Sequence, residues 1–211
     1  INAGGVMASG RLQQMPLVML KPWLPATIQL QGNVEGTYQF DWRGGRGNGQ
    51  ANLHFPDSVI SVTQTGQKAK QYHYHNAQAM VTLVGKTVSV QGETTVDQYG
   101  AVSLDGRMDL VERGEPHINA VIRAESPNMA WLESLTPDLG DIQGQLSLDM
   151  QLTGTVKHPA VKGIMRLQNG QAYLSETGAL LQDIQLTIQT VDAQNATITG
   201  SLRAGSGVMQ A

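Results

Sequence analysis

The sequence predicts an all-β protein built on a long antiparallel sheet with one apolar and one polar face. Three observations carry this. From Ile28 to Trp42 every second residue is apolar or glycine: Ile28, Leu30, Gly32, Val34, Gly36, Tyr38, Phe40 and Trp42. The residues between them, from Thr27 to Asp41, are polar, and side chains alternate across a β-strand. The same alternation recurs along the chain at intervals of roughly 8 to 15 residues, the spacing of meandering strands. Finally, hydrophobic content is 40% and only 15% of residues are charged, while 24 glycines supply turns, so a core-forming chain with Gln, Asn, Ser and Thr on its wet face is expected.

Taken in order, Leu53 and Phe55 flank His54, Ala77, Ala79, Val81 and Leu83 alternate with Gln78, Met80 and Thr82, and Val88 and Val90 face one way. Val102, Leu104, Gly106, Met108 and Leu110 alternate with Ser103, Asp105, Arg107 and Asp109. Ile118, Ala120, Ile122 and Ala124 follow, then the stretches 142–152, 161–167, 184–188 and 196–204. Gly44-Gly45, Gly66, Gly85, Asn169-Gly170, Gly178 and the run from Asp192 to Asn195 read as the turns between strands.

Two stretches break the alternation. Gln13 to Leu24 holds Pro16, Leu17, Met19 and Leu20, and Ser126-Pro127 opens a segment with Met129, Trp131, Leu132 and Leu135. Ser is a good N-cap and Pro a good first helical residue, so short helices are expected near 13–24 and 127–135. Each ends at a proline, Pro25 and Pro137, and a shift of 112 positions that superposes these prolines also superposes Val6 on Ile118, Leu20 on Leu132 and Leu30-Gln31-Gly32 on Ile142-Gln143-Gly144. This predicts an internal repeat, 1–125 followed by a shorter copy at 126–211, joined in one continuous sheet. The chain begins in mid-strand pattern, as expected of a piece of a longer protein.

Net charge is −3 and no basic stripe appears, which argues against nucleic acid. No cysteine is present, so disulfides and thiolate metal sites are excluded. No run reaches the roughly 18 apolar residues of a membrane helix. His73 and His75 share a strand face as a metal pair would, but no third ligand is placed by sequence, and a polar strand face is the plainer reading. His54, His117 and His158 are isolated. The pairs Asp138/Asp141 and Glu112/Glu115 stand in turn-like contexts, where solvated carboxylates are expected rather than an acid–base pair. The run Gly44 to Gly49 lacks the Lys-Ser/Thr ending of a phosphate loop and reads as a hairpin tip. The sequence thus reads as non-enzymatic and without a cofactor.

From Gly144 to Ile188 the chain reads GQLSLDMQLTGTVKHPAVKGIMRLQNGQAYLSETGALLQDIQLTI. Its frame is Gly144, alternating apolar residues, Gly154-Thr155, Pro159, Gly163, Asn169-Gly170 and Gly178. This frame resembles the C-terminal region of the TamB family, and more broadly the AsmA-like bacterial proteins with a repeating β-groove. The first copy, LKPWLPATIQLQGNVEGTYQFDW, resembles the same pattern, whereas Gly47 to Gln71 departs from it. The resemblance implies a periplasmic segment of an inner-membrane-anchored bacterial protein. It also implies an outer-membrane barrel partner, TamA, and roles in inserting outer-membrane proteins such as autotransporters and in moving phospholipid between membranes.

A sheet with one oily face must cover it, either by packing on a second sheet or by curling into an open trough. The resemblance points to the trough. Its expected lining is Ile28, Leu30, Val34, Tyr38, Phe40, Val102, Leu104, Met108, Ile118, Ile122, Leu146, Leu148, Met150, Leu152, Ile184, Leu186, Ile188, Ile198 and Leu202, holding phospholipid acyl chains. Two other readings remain at this point: a scaffold that pairs with nascent outer-membrane strands through a sheet edge, and an outer-membrane barrel, which the 5% aromatic content disfavours because barrels carry aromatic girdles.

Overall fold

The computed structural model describes residues 5–23, 27–62, 70–111, 114–129, 138–155, 158–191 and 195–210. Strands dominate: β1 (Val6–Pro16), β2 (Ile28–Gln31), β3 (Asn33–Arg43), β4 (Arg46–Phe55), β5 (Ser58–Val62), β6 (Lys70–Gly85), β7 (Thr87–Val96), β8 (Gly100–Asp109), β9 (His117–Ser126), β10 (Leu139–Thr155), β11 (Pro159–Leu174), β12 (Ala179–Thr190), β13 (Ala196–Ala204) and β14 (Gly207–Gln210). They form one antiparallel sheet in the order β1-β3-β4-β6-β7-β8-β9-β10-β11-β12-β13-β14. The short strands β2 and β5 branch from it: β2 pairs with β5, and β5 with the first half of β6. All fourteen strands belong to this sheet, and it does not close into a barrel. The expected all-β class and long antiparallel sheet are therefore what the chain forms.

Among the described residues two short 3-10 helices interrupt the strands, η1 (Leu17–Trp23) and η2 (Asp97–Tyr99). The chain stays extended through Pro16, so the helical turn expected within 13–24 covers only its second half. The helix expected near 127–135 lies almost wholly outside the described residues. Among those residues no helix is long and apolar enough to cross a membrane.

The chain divides into two compact units, Ile1–Asp97 with Ser103–Ile118, and Gln98–Val102 with Asn119–Ala211. Each has one small buried cluster. In the first, Leu17, Val34 and Tyr74 are buried, with Leu30, Phe55, Ile60 and Val96 packed around them. In the second, Met129, Ile142 and Ala172 are buried, with Leu139, Leu146, Leu167 and Ile184 around them.

Two readings of the sequence need correction. The alternation from Ile28 to Trp42 is not one strand. It breaks at Gly32, whose φ of 124° few side chains tolerate, and the halves pair with different partners, β5 and β1. Asn169-Gly170 is not a turn either. β11 runs through it to Leu174, with a register shift on both sides of Gly170 and Asn169 at φ 51°. The Asn-Gly signal marks a β-bulge, where the same left-handed conformation is needed inside a strand. Gln14, Asn76, Asp141 and Asp183 repeat the device, each with positive φ at a register shift in β1, β6, β10 and β12. Each bulge bends its strand and raises the local twist.

Candidate functional site

Residues opposite one another in an antiparallel ladder project to the same face. In the first unit the register aligns Ala8, Phe40, Gly49, Leu83 and Val88 in one row, and Gly10, Tyr38, Ala51, Val81 and Val90 in the next. A third row holds Leu12, Gly36, Leu53, Ala79 and Gly92. On β8, Asp105 accepts a hydrogen bond from Gln91 at 3.0 Å and Asp109 from Thr87 at 2.7 Å, both on the polar face of β7. Val102, Leu104 and Met108 are one residue out of phase with these and so take the apolar face.

Aromatic rings fill the space that glycines leave on this face. Trp42 lies opposite Gly47 and Phe40 opposite Gly49. A Cβ built on Gly47 would collide with the Trp42 ring, and one on Gly49 would lie 2.5 Å from the Phe40 ring and 2.7 Å from its Cα. Tyr38 and Phe40 stack with ring centroids 6.5 Å apart.

The second unit repeats the arrangement. Leu146, Leu167, Leu186 and Gly200 form one row, and Leu148, Met165, Ile188 and Ile198 the next. Met150 faces Gly163, and Leu152 faces Val161. On the other face Arg123 meets Asp149 at 3.3 Å and Gln151 donates to Asn119 at 3.4 Å. Ile118 and Ile122 on β9 are thereby placed on the apolar side, while Leu202 follows Ile198 and Gly200 on β13.

Of the nineteen residues expected to line a trough, sixteen are half-buried, Leu104 and Ile198 are exposed, and Val34 alone is buried. Val34 is buried in the cluster with Leu17 and Tyr74. Ile28 and Leu30 lie on the β2 branch, away from the main rows. The register adds Leu53, Val81, Leu83, Val88, Val90, Met165 and Leu167, whose alternation was visible in the sequence but whose strand neighbours were not. Leu17 and Met129, each 1% exposed, were missed as anchors because nothing local marks them as buried. They stand 112 positions apart, the spacing of Pro25 and Pro137. The turn that delivers Met129 is braced by Ser126, whose hydroxyl donates to the Asn128 carbonyl at 2.8 Å.

The polar face carries exposed pairs: Arg43 with Asp41, Arg107 with Asp109, and Arg203 with Asp183. Such pairs contribute about 0–1 kcal/mol each. The hydrogen bond from Thr87, then the Arg107 charge, hold the Asp109 carboxyl below its ordinary range. Burial raises the Tyr74 phenol. One cluster was not foreseen. His75 Nδ1 lies 3.0 Å from Asp57 and Nε2 2.6 Å from Asp97, so one imidazole bridges carboxylates 18 and 22 positions away. With an acceptor at each nitrogen both must donate, and the ring pKa is raised above 6.5 by its bonds to Asp97 and Asp57. No group of His, Asp and Glu suited to a metal ion occurs among the described residues.

A pH dependence follows. A raised folded-state pKa means that His75 stabilises fully below its ordinary value, and that this contribution is lost as pH rises through the folded value. The melting temperature of the wild type should exceed that of His75→Gln at about pH 5.5, with the gap narrowing toward about pH 9 and shrinking in high salt. A gap that is constant with pH would show that the bridge does not depend on the imidazolium.

Residues 4–167 match the family model described as TamB, N-terminal domain. The C-terminal placement suggested by the resemblance gains no support from that match. No solved structure matches the chain.

Proposed function

We propose that this chain, which belongs to the TamB family, serves outer-membrane biogenesis by carrying phospholipid acyl chains along the apolar rows of its sheet. We read it as a periplasmic, non-enzymatic segment of an inner-membrane-anchored protein that works with the outer-membrane barrel subunit TamA. The observation that carries the reading is the half-exposed state of the rows. All fourteen strands lie in one sheet, and sixteen of the nineteen expected lining residues keep part of their surface open. The bulges on β1, β6, β10, β11 and β12 supply the bends by which such a sheet curls into a trough.

Such rows suit acyl chains. Each methylene leaving water gains about 0.8 kcal/mol. Rows of Val, Leu, Ile and Met offer similar contacts at every step, so no deep local well holds a chain in place. A headgroup stays outside the apolar rows, in water.

Leu104→Asp in the first unit and Leu148→Asp in the second place a carboxylate on the apolar rows at half-buried or exposed positions. Both variants are expected to fold and to abolish retention of phospholipid on the purified chain, read by native mass spectrometry. Undiminished co-purified lipid on folded variants would rule out the rows as its path.

A second reading rests on the edges. β1 and β14 each pair on one side only among the described residues, and Val6, Met7, Val208 and Met209 on them are 59% to 69% exposed. An edge of this kind takes an extended strand by β-augmentation, as a scaffold for nascent outer-membrane proteins would. A bound strand peptide on a lipid-free chain would favour this reading.

A further inference from the structure

We infer a distinct amphiphile site between η1 and β2: a pocket for one alkyl chain, with Lys21 at its rim binding an anionic phosphate head. The inference deepens the reading above and rests on it for the ligand class. A cavity of about 350 Å³ opens there, a size within the range of small-ligand sites. Leu17, Val18, Ile28 and Leu30 line it, and among its described lining residues Lys21 is the one that carries a charge. Leu17 is held from behind: it is 1% exposed, and its N–H donates to the Gly32 carbonyl at 2.9 Å. The opposite wall is β2, which pairs only with β5 (Ile28 with Val62, Leu30 with Ile60) and stands off the main ladder. The pocket is thus separate from the rows of the main sheet. Val18 and Met19, 60% and 59% exposed, add apolar surface on η1. An apolar hollow with a single cation fits a tail with one negative head better than a neutral amphiphile.

The probes are octyl, decyl and dodecyl phosphate, titrated calorimetrically into the full chain below their micelle concentrations. One-to-one binding should tighten about fourfold per added methylene until the hollow is full. Dodecyl maltoside, with a neutral head, should bind more weakly. Lys21→Glu should weaken dodecyl phosphate about fivefold and leave dodecyl maltoside unchanged. Ile28→Trp, which fills the hollow, should weaken both; if it does not fold, Val18→Asp at an exposed wall position replaces it with the same expectation. Binding that ignores chain length or that survives Lys21→Glu undiminished overturns the site. Dodecanoate binding more tightly than dodecyl phosphate would assign the head to a fatty acid and overturn the phosphate. If the pocket fails these tests while Leu148→Asp still strips phospholipid from the chain, only this inference falls.

Discussion

Leu17→Ala should cost about 2–5 kcal/mol, and Met129→Ala should cost a similar amount, both read from urea unfolding. These two are the largest side chains buried to below 2% exposure. Truncation removes transfer free energy and leaves a void among the side chains packed around each residue. A domain of ordinary stability has about 5–15 kcal/mol in all, so either change takes a large share. The rows of the open face provide the contrast. Ile198 is 60% exposed, and Ile198→Ala should stay within about 0.5 kcal/mol. A large loss at Ile198, equal to that at Leu17, would mean that the row is packed, and the acyl-chain reading would lose its basis.

The same contrast shows which parts of the molecule the sequence revealed. Strand alternation was legible because side-chain direction is a local property with period two, and the stretch 196–204 is β13 to the residue. The apolar composition of the rows followed from it. Burial was not legible, because it depends on which strand lies alongside and on what covers the end. Val34 and Tyr38 have the same alternation phase, yet only Val34 lies beneath Leu17. The break at Gly32 was hidden for a related reason: Leu30, Gly32 and Val34 keep phase across it, so the pattern runs on while the pairing changes. At Asn169-Gly170 the signal was correct about backbone conformation and ambiguous about context, since a hairpin tip and a bulge both ask for positive φ. The bridge through His75 had no sequence signal at all, because its carboxylates arrive from the turn before β5 and from η2.

Gly32→Val should destabilise the first unit by about 2–5 kcal/mol, because two separate costs fall on one position. The backbone there has φ 124°, a conformation that a β-branched residue occupies only under strain of about 1–3 kcal/mol. A Cβ would also collide with the side chain of Ser58, which is 5% exposed and donates to the Pro56 carbonyl at 2.6 Å, so the serine has little freedom to retreat. Overpacking of this kind costs about 1–3 kcal/mol. The damage should spread to the buried cluster around Leu17, since the Gly32 carbonyl accepts the N–H of Leu17. A double-mutant cycle with Ser58→Gly separates the two costs. Removing the serine side chain should relieve the collision and leave the strain, so about half the loss should return. Gly144, at φ 139°, is the counterpart in the second unit; there a Cβ would meet the Leu167 side chain at 2.9 Å, which can swing aside, and the Gly170 Cα and Gln168 carbonyl at 3.1 and 3.2 Å, a tight fit short of collision. Gly144→Val should therefore cost less than Gly32→Val, by part of the overpacking cost. Equal costs at the two glycines, with no recovery in the Ser58→Gly background, would show that backbone strain alone sets both positions and that the fit of Ser58 against Gly32 plays no part.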